Sequence, residues 1–197
     1  MVLNFENFKE RISVLRLRFK FFNLSLINVH SPTEEKEEEE KDCFYEALER
    51  VYDRLPGSDV KIVLGDFNAK LGKEECFRPF LGKYSLHDRC NENGLRFVDF
   101  ALAQNMSVSS TKYPHKCIHR ETWVSPDGRT RNQIDHVMID MRHASDIFDV
   151  RSYRGADGDT DHNLVRIKYR QRISRFRQGK KCTDRWHVEK LKMDKSE

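Results

Sequence analysis

Residues 60–68 read Val60-Lys61-Ile62-Val63-Leu64-Gly65-Asp66-Phe67-Asn68. A short apolar run closed by turn residues predicts a buried strand over residues 60–64. Gly65-Asp66-Phe67-Asn68 then sets a carboxylate and an amide at the carboxyl end of that strand, where open α/β sheets place their ligands.

Working outward toward the amino end, the chain begins almost directly with a strand. Residues 15–21 alternate, with Leu15, Leu17, Phe19 and Phe21 opposed to Arg16, Arg18 and Lys20. That period of two predicts a half-buried strand. Asn23 marks a turn, and residues 24–29 form a more continuous apolar run ending at His30-Ser31-Pro32, so the two segments read as a hairpin with the second strand more central. An acidic run over residues 34–42 leads into a helix carrying Phe44, Leu48, Val51, Tyr52 and Leu55, stopped by Pro56-Gly57. Acids in or before a first helical turn are favoured by the helix dipole, so the run reads as a solvated helix start and not as a metal site.

Toward the carboxyl end, Asn93-Gly94 precedes a second helix with Leu95, Val98 and Leu102 as its stripe. Residues 106–110, 122–124 and 133–139 read as strands, the last two joined through Ser125-Pro126-Asp127-Gly128, which carries turn chemistry. Residues 150–153 form another strand, and Val165, Ile167 and Tyr169 alternate with Arg166 and Lys168 in a final one. Strands with interleaved helices and several hairpins predict a mixed α/β sandwich. A purely parallel sheet would need more crossover helices.

The 197 residues suffice for one good-sized core. With 38% hydrophobic and 35% charged residues the chain is charge-rich, while an aromatic share of 11% argues against wholesale disorder. Cys43, Cys76, Cys90, Cys117 and Cys182 are odd in number and form no C-x-x-C pair, which points to a reduced, intracellular protein, nuclear or cytoplasmic. His115-x-Cys117-x-His119 lacks a second ligand pair and reads as a loop. No apolar run reaches the ~18 residues of a membrane span. Charged residues interrupt the first thirty positions, unlike a secretory signal. Beyond Arg166, Arg170, Arg172, Arg175, Arg177, Lys180, Lys181 and Arg185 outnumber Asp184 and Glu189. The division is a domain over residues 1–172 and a basic tail or linker over 173–197, suited to a polyanion.

Three carboxylates stand at loop–strand junctions: Asp66 in G-D-F-N, Asp135 in Q-I-D-H and Asp161 in D-T-D-H. Singly, each is ordinary turn chemistry. Together they lie at the ends of apolar runs, and acids that converge need a cation or a shared proton. Carboxylates with an amide oxygen from Asn68 and no thiolate suit a hard ion such as magnesium. His162 beside Asp161 adds a donor for a phosphate oxygen, and another acid can hold its tautomer.

The stretches LINVHSPTEEKEEEEKDCFYEALERVY (26–52), KIVLGDFNAKLG (61–72), TWVSPDGRTRNQIDHVMID (122–140) and DTDHNLVRIKYR (159–170) resemble the later two thirds of endonuclease/exonuclease/phosphatase domains. The nearest resemblance is to the endonuclease part of non-LTR retrotransposons and to craniofacial development protein 2-like proteins, and it covers about residues 12–175. It implies a four-layer α/β sandwich of the deoxyribonuclease I-like type, two mixed sheets flanked by helices, incomplete at its amino-terminal side. It also implies a Mg²⁺-dependent phosphodiesterase, with Mn²⁺ as a substitute, that nicks DNA by metal-assisted attack of water.

Carried over residue by residue, the resemblance makes Asp66 the group that orients and deprotonates water, and Asn68 a phosphate ligand. Asp161 joins the metal–water cluster. His162 donates to the phosphoryl oxygen, with Asp135 fixing its ring. His30 stands where such enzymes place a histidine or a tyrosine and is the acid for the leaving oxygen. Trp123 matches an aromatic near the substrate, although its type favours a buried core role. Family members also carry an early asparagine and a glutamate that is the chief metal ligand; Glu6 and Glu10 lie in no matching context. Weak or absent metal affinity is therefore expected, and a truncated, inactive remnant that at most binds nucleic acid is the alternative. Phosphoinositide phosphatases carry a W-C-D-R type sequence around the aspartate corresponding to Asp135, and Q-I-D-H does not resemble it.

Overall fold

The computed structural model describes residues 1–155 and 160–172; the basic segment 173–197 lies outside the described residues. A six-stranded sheet is built from β1 (Val2–Asn7), β2 (Ile12–Leu17), β3 (Leu24–His30), β4 (Val60–Asp66), β5 (Met106–Val108) and β8 (Asp135–Asp140), in the order β1-β2-β3-β4-β8-β5. Only β3 and β4 pair in parallel, and α1 (Glu38–Arg54) makes the crossover between them. A second helix, α2 (Glu92–Ala103), leads into β5. Two short strands, β6 (Trp123–Val124) and β7 (Arg131–Asn132), close the turn over residues 125–130, and β9 (Ile147–Tyr153) with β10 (Leu164–Tyr169) forms a separate antiparallel ribbon. The mixed α/β sandwich read from the sequence is the fold observed.

The sheet is apolar on both faces. On one face Ile12, Val14, Ile27, Val29, Val63 and Met138 meet Leu48 and Val51 of α1 and Phe97, Val98 and Ala101 of α2. On the other, Leu24, Val60, Ile62, Val137 and Ile139 meet Ile147, Val150, Val165 and Ile167 of the ribbon. The described residues thus make three layers: helices, sheet and ribbon. Fully burying an aliphatic or aromatic side chain stabilises by roughly 1.5–3 kcal/mol, so these two interfaces dominate folding.

The structure corrects two element readings. The β2 strand ends at Leu17 instead of running to residue 21, because Leu17 pairs with Leu24 and the hairpin closes there. Phe19 and Phe21 are 43% and 45% exposed. On α2 the inward face is Gly94, Phe97, Val98 and Ala101, while Leu95 and Leu102 stand exposed. Both stripes have helical spacing and share Val98; the one holding the larger Phe97 and the close-fitting Gly94 and Ala101 wins. The acidic run is also divided. Glu38, Glu39 and Glu40 open α1, whereas Glu34 turns to α2 and accepts from Asn91 Nδ2 at 2.5 Å and from the Glu92 amide at 3.1 Å. A carboxylate there satisfies helix-start N–H groups and complements the dipole.

One buried polar residue ties β8 to the loop after β4. His136 is 1% exposed, its Nε2 donating to the Ala69 carbonyl at 2.8 Å and its Nδ1 accepting from Ser110 Oγ at 2.9 Å. Burial pushes its pKa down from 6.5 to about 4. In the unfolded chain the ring takes a proton near 6.5, so between those two values the unfolded state binds more protons and stability rises with pH. Acidification from pH 6.5 to 4 is therefore expected to remove up to about 3 kcal/mol through this group. Urea unfolding of wild type and His136→Gln across that range checks it: the pH slope in the window flattens in the variant.

Candidate functional site

The register assembles the site before any side chain is considered. His30 pairs with Asp66 across the parallel β3–β4 ladder, and Asp66 pairs with Asp135 across the antiparallel β4–β8 ladder. Three side chains from three adjacent strands therefore share one row. By the alternation of a strand they also share a face, the one that Ile62, Leu64 and Val137 turn to the ribbon.

Gly65 and Asn68 shape the turn that follows. Gly65 has φ +136°, and a Cβ there would lie 2.0 Å from the Val29 carbonyl oxygen, so only glycine fits. Asn68 has φ +48°, a left-handed conformation that asparagine tolerates. Between them Phe67 drops into the core, fully buried, with its ring edge-on to Phe97 at 4.6 Å between centroids. The Asn68 amide donates to Asp66 Oδ1 at 2.8 Å, and Asn68 Nδ2 donates to the Ser31 carbonyl at 3.0 Å.

Asp66 sits between two imidazoles. His30 Nε2 lies 3.8 Å and His162 Nε2 3.9 Å from its Oδ2. His162 turns its Nδ1 to Asp135 Oδ2 at 3.0 Å. The Asp135 hydrogen bond raises the His162 pKa above the ordinary histidine value, with the charges of Asp135, Asp66 and Asp161 adding to it. Burial raises the Asp66 carboxyl above the usual range, partly offset by the Asn68 amide and reinforced by the negative charge of Asp135. A carboxylate so raised is a better proton acceptor, and an imidazole so raised stays a proton donor to higher pH.

Trp123 is half-buried at the site rim instead of in the core. Its Nε1 donates to Asp161 Oδ2 at 2.6 Å, and its backbone bridges to that of His162. Open clefts flank His162 on two sides. One, of about 490 Å³, is lined by Glu34, Asn68, Lys70, Trp123 and Asn132; the other, of about 450 Å³, by Leu64, Asp135, Leu164 and Ile167.

Of the residues singled out from the sequence, Asn68, Trp123, Asp135 and His162 line these clefts, whereas Lys70 and Asn132, and the residues that hold the walls, were not singled out. Thr122, 3% exposed, accepts from the amides of Ile134 and Asp135 through its Oγ1 at 3.0 and 3.1 Å and so fixes the start of β8. Asn93, 2% exposed, donates through Nδ2 to the carbonyls of Pro32 at 3.1 Å and Asn68 at 3.2 Å. Both sat in quoted or noted stretches, but an isolated Thr or Asn carries no signal of a partner far along the chain. Of the H-x-C-x-H residues, His115 binds Asp149 at 2.7 Å.

The donors fit a hard divalent ion in kind, since magnesium takes one or two carboxylates and completes its shell with water and phosphate oxygens. Among the described residues no three His, Cys, Asp or Glu side chains come together as a preformed cage.

No protein-family model matches the chain. It is 35% identical over 164 residues to craniofacial development protein 2 of Tragulus javanicus and 34% identical over 164 residues to that of Bos taurus. Each match takes in 83% of this chain but 28% and 27% of the relative, so the chain spans about a quarter of their length. Among solved structures, a Neisseria 3′ phosphatase, NExo, bound to a product DNA hairpin aligns with TM-score 0.61 and 18% identity over 87% of this chain and 72% of its own. The endonuclease domain of TRAS1, a telomere-specific non-LTR retrotransposon, aligns with TM-score 0.56 and 15% identity over 81% and 62%. The chain has the endonuclease/exonuclease/phosphatase, deoxyribonuclease I-like, fold.

The Asp135–His162 bond is directly measurable. NMR titration of the His162 ring is expected to give a pKa above that of an exposed histidine, and Asp135→Asn, which keeps shape but removes charge, is expected to lower it. An unmoved midpoint in the variant would exclude the pairing.

Proposed function

We propose that this chain, built on the endonuclease/exonuclease/phosphatase fold, is a phosphodiester hydrolase that nicks DNA, of the retrotransposon-endonuclease type. The observation that carries the reading is the single row of His30, Asp66 and Asp135 closed by His162. In this reading the Asp66 carboxylate takes the proton of the attacking water, its raised pKa suiting a base. Protonated His162, held by Asp135, donates from Nε2 to the phosphoryl oxygen on which charge accumulates. Asn68, which lines one cleft, serves as a phosphate ligand, and His30, 65% exposed beside Asp66, delivers a proton to the leaving oxygen.

Asp161, with support from Asp66, would hold Mg²⁺, or Mn²⁺ in its place. When bound, the ion neutralises charge on the phosphate and makes water more acidic. Trp123 then fixes Asp161 through its indole N–H and offers a ring at the cleft mouth. The lack of a three-ligand cage among the described residues favours the second reading, an inactive remnant of such a domain that still binds nucleic acid. No helix of the described residues is long and apolar enough to cross a membrane. The unpaired thiols Cys43, Cys76, Cys90 and Cys117 support a reducing intracellular setting, nuclear or cytoplasmic.

Supercoiled-plasmid nicking with magnesium separates the two. Wild type is expected to relax plasmid, and Asp161→Ala and His162→Ala to lose at least about 100-fold in rate, the scale of a lost acid–base or electrostatic group. Folded wild type with no more nicking than the variants would leave only the remnant reading.

A further inference from the structure

The outer face of the β9–β10 ribbon holds a like-charge pair. Arg166 of β10 stands directly across from Arg151 of β9 in the antiparallel register. Like charges so placed destabilise a sheet unless something negative lies between them. Both guanidinium groups lie 4.5 Å from the centre of the Tyr153 ring, which orders them without neutralising them. Glu121 pairs with Arg131 and Arg154, while Asp149 faces Lys168 across the same ladder and pairs with it and with His115, so on this face Lys168 has its carboxylate partner and the arginines stand out.

The pair opens a longer row. Val165, Ile167 and Tyr169 turn inward, so Arg166 and Lys168 point outward, about 7 Å apart as residues two apart on a strand, and exposed Arg170 follows directly on the end of β10. Arg170 lies 5.8 Å from the centre of the Phe148 ring, which is 46% exposed. The row starts just after His162 and ends where the chain runs on, in sequence, to Arg175, Arg177, Lys180 and Lys181.

We propose that this face binds the backbone of a single-stranded nucleic acid. Its phosphates lie along Arg151, Arg166 and Arg170, and Phe148 offers a ring to an unpaired base. Guanidinium forks match phosphate oxygens, and cations beside an exposed ring are what single-strand surfaces use. The proposal deepens the nuclease reading by giving the strand a path away from the catalytic end, yet binding here needs no catalysis.

The test is fluorescence anisotropy of wild type, Arg166→Gln and Arg166→Gln/Arg170→Gln with a labelled single-stranded oligodeoxynucleotide, in EDTA and at several salt concentrations. Each lost contact is expected to lower the slope of log affinity against log salt by about 0.7, and the double variant to bind roughly tenfold more weakly at low salt. The melting temperature of Arg166→Gln should equal or exceed that of wild type, because the repulsion with Arg151 is relieved. No binding by wild type, or unchanged affinity and slope in the variants, overturns the proposal. So does displacement of the oligonucleotide by phosphatidylserine vesicles that lose their hold in the same variants. Retained, arginine-dependent binding by a protein that nicks nothing would sink the catalytic reading and leave this one standing.

Discussion

The contact on which the site depends is between two backbones. The Val29 carbonyl oxygen occupies the space that a side chain at position 65 would fill. Because residue 65 is glycine, β3 and β4 close to parallel pairing right up to their carboxyl ends, and His30 comes level with Asp66. The same residue, at φ +136°, starts the turn that buries Phe67 and leaves Asn68 beside the carboxylate. A slip of one residue would send Asp66 to the helix side of the sheet, since side chains alternate. The row of functional side chains is thus a consequence of register, and register a consequence of one missing methyl group.

Around that contact lies a shell of buried polar groups, each joining segments distant in sequence. Thr122 holds the start of β8, His136 ties β8 to Ala69, and Asn93 bridges Pro32 and Asn68. Gln133 reaches from the same strand start to the Ser110 carbonyl at 3.1 Å. Leaving any such group unpaired costs about 1–3 kcal/mol, so the alternatives to this geometry are disfavoured one by one. The stiffness this gives is what a site needs if an imidazole is to stay within a hydrogen bond of one carboxylate and near another.

Legibility in the sequence follows the same division. The buried central strand at residues 60–64 was readable because an apolar run closed by turn residues is a local signal, whereas the candidate site residues at strand ends stood out only as a set and through the family resemblance. The end of β2 was not, because Phe19 and Phe21 continue the alternation of Leu15 and Leu17 while the hairpin register with β3 stops it. The inward face of α2 was misread because two stripes of helical spacing share Val98, and only packing against the sheet selects Phe97 over Leu95 and Leu102. Glu34 looked like part of a solvated acidic run, yet its partners Asn91 and Glu92 come from another helix. Trp123 looked like core by residue type; its indole N–H finds Asp161, a partner 38 residues away.

Among the described residues the clustered acids and the outward arginines occupy different places. The candidate site gathers Asp66, Asp135 and Asp161 around His30 and His162, and by itself would repel a phosphate until a cation or a proton offsets those acids. The outer face of the ribbon gathers arginines whose acidic neighbours are engaged elsewhere, within a chain of formal charge +4. If the ribbon binds a polyanion as proposed, its arginines would attract the chain first and the acids would act only on a phosphate brought to them afterwards. On that proposal weak metal binding would be no defect: a substrate positioned by the arginines would itself supply the oxygen ligands that the protein's own side chains do not.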